Sequence, residues 1–141
     1  MSNAADFLLV RLGLRRVGIP ILAVIAVESV GEIFPVPTSD VSCRGVTMMR
    51  GRLMPLVRLG GLIDNTSPET GGTAVVLQIG GRHLCLEVDE AEAIVRGELL
   101  PLPPGESLPW AAGVVRRAEG LVLLLDLEAL SGRLSAPEVL L

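Results

Sequence analysis

The sequence predicts an all-β protein made of two related halves, and three observations carry that reading. The first is the stretch 43–63, Cys-Arg-Gly-Val-Thr-Met-Met-Arg-Gly-Arg-Leu-Met-Pro-Leu-Val-Arg-Leu-Gly-Gly-Leu-Ile. Two strand-length hydrophobic runs, Val46 to Met49 and Leu53 to Val57, flank Gly51-Arg52. Glycine tolerates the positive φ of a two-residue hairpin loop, so that pair is the expected reversal. The second observation is an internal repeat. An offset of 68 carries Gly45 onto Gly113, Val46 onto Val114, Leu53 onto Leu121, Leu59 onto Leu127 and Leu62 onto Leu130. An offset of 67 carries Phe7-Leu-Leu-Val-Arg-Leu-Gly13 onto Ala74-Val-Val-Leu-Gln-Ile-Gly80, and Ile19 onto Leu86. One inserted residue reconciles the two blocks, so two halves of about 60 residues are the economical reading. The third is composition: 50% hydrophobic residues but 2% aromatic, with 16 glycines and 10 prolines, suits short aliphatic strands joined by tight turns.

The elements follow in order. Phe7 to Leu12 reads as a strand, Leu14-Arg15-Arg16 as its turn, and Val17 to Leu22 as the second strand, with Pro20 demanding an edge or a bulge. Residues 23–33 mix a three-residue apolar spacing with β-branched content and read as a strand end and a short turn. Phe34-Pro-Val-Pro-Thr-Ser-Asp40 is an extended connection, because each proline drives its predecessor toward β or polyproline geometry. After the central hairpin, Asp64 to Gly72 is a polar linker and the boundary between halves. Ala74 to Ile79 and Arg82 to Val88 form a hairpin across Gly80-Gly81, with Glu87 and Asp89 placed by alternation on a solvated face. Ala91 to Gly97 and Leu100-Pro-Leu-Pro-Pro-Gly105 repeat the earlier segment and connection. An Ala118-Glu119-Gly120 turn precedes the apolar strand Leu121 to Leu125. A short helix begins at Asp126, with Gly132 expected to end it, and Ser135-Ala136-Pro137-Glu138 opens another turn.

Function classes narrow by elimination. A net charge of −4 and a single Trp without tyrosine give neither the basic footprint nor the stacking platform of a nucleic-acid binder. The longest nearly uncharged run, Val17 to Val27, is far short of the roughly 20 residues that cross a bilayer. No signal-like segment opens the chain, so direct membrane insertion is not expected and a cytoplasmic location is. Cys43 and Cys85 have neither a CxxC nor a zinc spacing and read as buried small hydrophobes.

Catalysis finds no support. His83 is the only histidine, and a triad of Ser42, His83 and Asp89 would lack a nucleophile elbow and an oxyanion loop. Glu87, Asp89, Glu90 and Glu92 are crowded without the pattern of a cation loop, and the paired glycines lack the lysine of a phosphate loop. The expectation is a protein without enzyme activity, cofactor or metal, acting through its surfaces.

The hairpin then carries a resemblance. Gly45-Val-Thr-Met-Met-Arg-Gly51, continued by Arg-Leu-Met-Pro-Leu-Val57 and Leu59, resembles the signature hairpin of the CheW-like family, adaptors that couple a histidine kinase to chemoreceptors. Phe7 to Gly13, Ile21-Leu22, Val88-Asp89 and Leu123 to Leu130 add to it, over roughly residues 6–134. The resemblance implies a single domain of two five-stranded SH3-like barrels around a shared hydrophobic core. The first barrel-like half would span 7–64 and the second 73–132, with room for strand exchange. It implies an adaptor whose partners are the regulatory domain of a CheA-type histidine kinase and the cytoplasmic tip of methyl-accepting chemoreceptors, other CheW-like domains being further candidates, with recruitment to membrane receptor arrays. By position it implies partner-binding roles for Arg50, with Val27, Val30 and Val46 as neighbours and Gly45 and Gly51 shaping the backbone. Two positions depart from the family pattern: Ala26 stands where an acidic residue is usual, and Arg58 where an aspartate is. They set an alternative beside the bridging adaptor, a member that binds kinase or another adaptor without receptor contact, as in a type IV pilus system.

Overall fold

The computed structural model describes residues 4–37, 42–63, 69–105 and 108–134, with side chains to residue 131. Strand β1 (Ala4–Leu12) reverses into β2 (Arg15–Pro20), and a 3-10 turn (Ile21–Ala23) leads to β3 (Val24–Ser29) and the short β4 (Ile33–Phe34). The hairpin of β5 (Cys43–Met49) and β6 (Arg52–Arg58) runs into a single helical turn, α1 (Leu59–Leu62). The second half repeats this order. Strands β7 (Thr73–Ile79) and β8 (Arg82–Val88) precede β9 (Glu90–Leu100), then come β10 (Ala111–Arg117), β11 (Gly120–Leu125) and α2 (Leu127–Leu134).

The strands assemble by exchange between halves. A closed barrel runs β1-β2-β11-β10-β9, and a six-stranded sheet runs β3-β7-β8-β6-β5-β4. The first hairpin of each half therefore sits in the sheet built mainly by the other half. The repeat holds at the level of register: β2 and β11 pair in parallel at Gly18–Leu124, and the equivalent β8 and β6 pair in parallel at Cys85–Leu56. Even the irregularities correspond. The β5–β6 ladder slips between Cys43 and Gly45, and the β10–β11 ladder slips between Ala111 and Gly113. At both glycines an added Cβ would run into a backbone carbonyl, Phe34 O at Gly45 and Leu100 O at Gly113, so close backbone approach explains the repeated glycine.

Strands with both faces buried lack a clean polar alternation, and here each face has its own destination. Phe7 and Leu9 point into the barrel with Val115, Val122 and Leu124. Their neighbours Leu8, Val10 and Leu12 point to a central core shared with Val75, Leu77, Leu86, Val57 and Leu130. In the other sheet, Ala74 and Val76 face inward with Met54, Leu56 and Cys85. Residues related by the 67 or 68 offset thus occupy matching clusters, and the shared core is what holds the two sheets as one domain.

Several expectations are corrected. One of the two sheets closes into a barrel: β9 is an unbroken strand that pairs with both β1 and β10. In the first half the equivalent run is split. Strand β3 pairs with β7, β4 pairs with β5, and Val30-Gly31-Glu32 lies between strands, so among the described residues no β3–β4 ladder closes the six-stranded sheet. The hairpin reversal is Arg50-Gly51 rather than Gly51-Arg52, since Met49 pairs with Arg52. Likewise Gly13-Leu14 turns the first hairpin, and Arg15 already belongs to β2. Pro20 is the last residue of an interior strand, beyond the point where the β11 ladder stops at Gly18. Helix α2 passes through Gly132 to Leu134, its buried Leu130 docking it on the core. Parts of the two polar segments, residues 38–41 and 64–68, and the turn expected at 135–138 lie outside the described residues.

Candidate partner-binding surface

The reversal of the β5–β6 hairpin is a two-residue loop with both φ angles positive, 51° at Arg50 and 77° at Gly51. That is the type I′ pattern, whose twist matches the flanking strands and which favours Asn-Gly or Gly-Gly. Arg50 is the only non-glycine residue with positive φ among the described residues. Its side chain is half exposed, and Nη1 lies 3.9 Å from Glu28 Oε1 on β3. At that distance and exposure the ion pair contributes well under about 1 kcal/mol. The guanidinium is thus held out at the tip, where a partner can reach it.

The outer face of this hairpin is apolar. Met48 and Leu53 are directly opposed and 54% and 48% exposed, and Phe34 of β4 lies across from Val46, which lies across from Pro55. Val46 itself is 4% exposed, covered by its neighbours, so it supports this face rather than presenting it. Val27, at 42% exposure, belongs to a second feature: with Glu28, Ser29 and Thr73 on one side and Glu90 and Ala91 on the other, it lines a shallow groove of about 260 Å³ where the two sheets meet. Val30 packs partly buried against the inner cluster that includes Met49 and Met54.

The predicted residues therefore divide. Glu28, which lines the groove with Val27, lies 3.9 Å from Arg50. Gly45 and Arg58 do not join them: Arg58 ends β6, about 20 Å along the strand from the tip at roughly 3.3 Å per residue. There Arg58 Nη2 sits 3.8 Å from Glu69 Oε2, and its backbone N–H donates to Ser42 O at 2.8 Å. Ala26 turns inward and packs on the same inner cluster as Val30.

Glu87, in β8, and Asp89, just after it, do not form the solvated face that alternation suggested. Asp89 is 2% exposed at its side chain; Oδ1 accepts the backbone N–H groups of Thr70 and Gly71 at 2.9 and 2.6 Å, and Oδ2 that of Gly13 at 2.7 Å. Burial pushes this carboxyl up, but the N–H donors of Gly71, Gly13 and Thr70, with the Arg11 guanidinium, together hold it below its ordinary value. Glu87 is also buried; it accepts Gly72 N–H at 3.0 Å and pairs with Arg44 Nη1 at 2.8 Å. Both carboxylates thus hold the backbone that leads into β7.

Among the described residues, Ser42, His83 and Asp89 are not brought together. His83 Nδ1 lies 3.0 Å from Arg52 Nη1, away from Ser42 and Asp89 in partner and strand. Burial, and next the charge of Glu28, push the Cys85 thiol up to about 11, so it stays protonated and unreactive, while Cys43 is likewise a free thiol. Among the described residues no group of three or more His, Cys, Asp or Glu side chains is placed to hold a metal ion, and no helix is long and apolar enough to cross a membrane.

Comparison with known proteins places this geometry. A family model described as CheW-like domain matches residues 6–134. No curated protein matches the chain. Among solved structures, the chain is similar to the scaffolding protein TtCheW from Thermoanaerobacter tengcongensis, at 17% identity and a TM-score of 0.78, over 90% of this chain and 86% of that one. At that identity the likeness is one of fold.

Proposed function

The chain belongs to the CheW-like domain family, and on that premise we propose that its β5–β6 hairpin and inter-sheet groove are the surfaces through which it couples its partners. Members of this family are non-catalytic scaffolds of chemotaxis signalling that generically couple chemoreceptors to a CheA kinase. The scaffold role follows from membership; the assignment of surfaces in this chain is our reading. The apolar face of Phe34, Met48 and Leu53, rimmed by Arg50, meets the regulatory domain of a CheA-type histidine kinase. The groove containing Val27 meets the cytoplasmic tip of a methyl-accepting receptor. The observation that supports this most is the exposed, directly opposed Met48–Leu53 pair on a hairpin whose inner face is already in the core. Exposed apolar side chains grouped on one rigid strand pair are the usual mark of a protein-binding face.

A second reading rests on Ala26 and Arg58. The position of Arg58 carries a cation 3.8 Å from Glu69, and Ala26, which packs inward, carries no charge, so neither position supplies a carboxylate to a receptor. In that reading the chain binds kinase or another CheW-like domain without receptor contact. Titration calorimetry with the purified kinase regulatory domain and with a receptor cytoplasmic fragment separates the two. Saturable binding of both, weakened for the kinase by Leu53→Glu and for the receptor by Val27→Glu, supports bridging. Kinase binding alone selects the second reading, and binding of neither ends the surface assignment.

A further inference from the structure

In its second half the chain passes from one sheet to the other at a single residue. Strand β8 ends at Val88 in the six-stranded sheet and β9 begins at Glu90 in the barrel, so Asp89 alone makes the crossing. Its hydrogen bonds run both ways. Toward the barrel, its N–H donates to Arg11 O at 3.0 Å, and Oδ2 accepts the N–H of Gly13 in the β1–β2 turn. Toward the other sheet, Oδ1 accepts the N–H groups of Thr70 and Gly71, which lead into β7, and its carbonyl accepts the Thr73 hydroxyl at 3.2 Å.

These contacts reach both walls of the inter-sheet groove. Thr73 lies on one wall, and Glu90 and Ala91, which follow Asp89 in the chain, lie on the other. Arg11 joins the same contact, with Nη1 3.6 Å from Asp89 Oδ2 and Nε 3.5 Å from Glu90 Oε2. The repeat makes the corresponding crossing without a carboxylate. An offset of 67 puts Leu22 there, between β2 of the barrel and β3 of the other sheet, and it is 99% exposed. A clasp at this point is therefore not a requirement of the repeated architecture, and it stands on the side that carries the groove.

We propose that Asp89 is a positioning residue for the inter-sheet groove: holding Gly13 with one carboxylate oxygen and Thr70 and Gly71 with the other, it fixes the separation of the groove walls and thereby the affinity of the groove for its occupant. The occupant meant is the receptor tip of the proposed function, on whose assignment to the groove the effect on affinity rests. Backbone groups of both sheets meet on this one side chain, so losing either oxygen as an acceptor frees the walls to shift while every residue that lines the groove stays in place.

Asp89→Asn isolates the effect. The amide keeps one acceptor oxygen and replaces the other with a donor, so either Gly13 or the Thr70–Gly71 pair loses its acceptor. Wall separation is read by pulsed electron spin resonance between nitroxides on the exposed positions Ser29→Cys and Ala93→Cys, in a Cys43→Ser background that leaves only the buried Cys85. The measurement is made under conditions where circular dichroism shows every variant folded. A narrow distance distribution is expected with Asp89 and a broader or displaced one with Asp89→Asn. Titration calorimetry should show Asp89→Asn binding a receptor cytoplasmic fragment about tenfold more weakly, with its affinity for the kinase regulatory domain unchanged. Identical distance distributions, or equal weakening of both partners, would overturn the proposal. Receptor binding that Val27→Glu leaves unaffected would instead overturn the assignment of the receptor to the groove, with the distances still deciding the clasp.

Discussion

Arg58 and Asp126 occupy the same place in the two repeats, and only one of them caps a helix. Each donates its backbone N–H to a carbonyl sixteen positions upstream, Arg58 to Ser42 O at 2.8 Å and Asp126 to Trp110 O at 2.7 Å. Asp126 Oδ1 then accepts the N–H of Ala129 at 3.1 Å, whereas Arg58 makes no side-chain cap. The helices differ accordingly: α1 is one turn of four residues and α2 runs for eight. Capping satisfies an otherwise orphaned helical donor, and the aspartate charge favours the positive end of the helix.

Removing that cap has a defined cost. Asp126→Ala should destabilise the fold by about 1 kcal/mol, seen as a lower urea midpoint with unchanged slope, while Asp126→Asn stays close to wild type because asparagine caps equally well. Equal loss in both variants would mean that the charge, not the cap, carries the effect.

Asp89 links stability to pH. Its folded value lies below the ordinary one, so its contribution is fully present above the unfolded value of about 4 and is lost as pH falls through the lower folded value. Asp89→Ala leaves the N–H groups of Gly13, Thr70 and Gly71 without their acceptor and should cost about 2–4 kcal/mol at pH 7. Unfolding free energies measured at pH 7 and near pH 3 should show the gap between wild type and Asp89→Asn narrowing in acid. A gap that stays constant would remove this carboxylate from the acid response.

How much of this was legible in the residues follows from what leaves a local mark. The repeat did, because Phe7 and Ala74, or Leu62 and Leu130, fill corresponding places in the cores and must keep their spacing. The hairpin was legible but displaced by one residue, since Gly51 announces a turn while an arginine in the left-handed region announces nothing. Strand exchange left no mark: periodicity reports which face of β1 or β7 is buried, not which sheet receives it. Nor did the burial of Glu87 and Asp89, whose partners are largely backbone N–H groups from a loop distant in sequence and so have no side-chain signature. Arg58 and Ala26 were visible as departures, but their separation from the Arg50 tip required the register.

The two glycines of the hairpin should fail in different ways. Gly45, at φ 133°, has no room, because a Cβ meets Phe34 O; Gly45→Ala should cost at least about 2 kcal/mol. Gly51, at φ 77°, faces open space, and Gly51→Ala should cost only about 1 kcal/mol of backbone strain. Thermal unfolding of both variants measures the difference, and similar losses would place the constraint in φ alone.

Arg50 separates stability from binding. An arginine at φ 51° is strained by about 1 kcal/mol relative to the asparagine that a type I′ turn prefers, and its pair with Glu28 is too long and exposed to offset that. Strain held by a residue with no compensating contact inside the fold suggests a use outside it. Arg50→Asn is therefore expected to raise stability by about 0.5–1 kcal/mol while weakening the complex with a kinase or receptor fragment by about 1–3 kcal/mol. Arg50→Ala, which keeps the backbone strain, should leave the thermal midpoint within a few degrees and lose the same binding. The opposite outcome, a variant that unfolds more easily and binds as before, would make Arg50 a structural clamp between the hairpin tip and β3, and the surface would then rest on Met48, Leu53 and Phe34 alone.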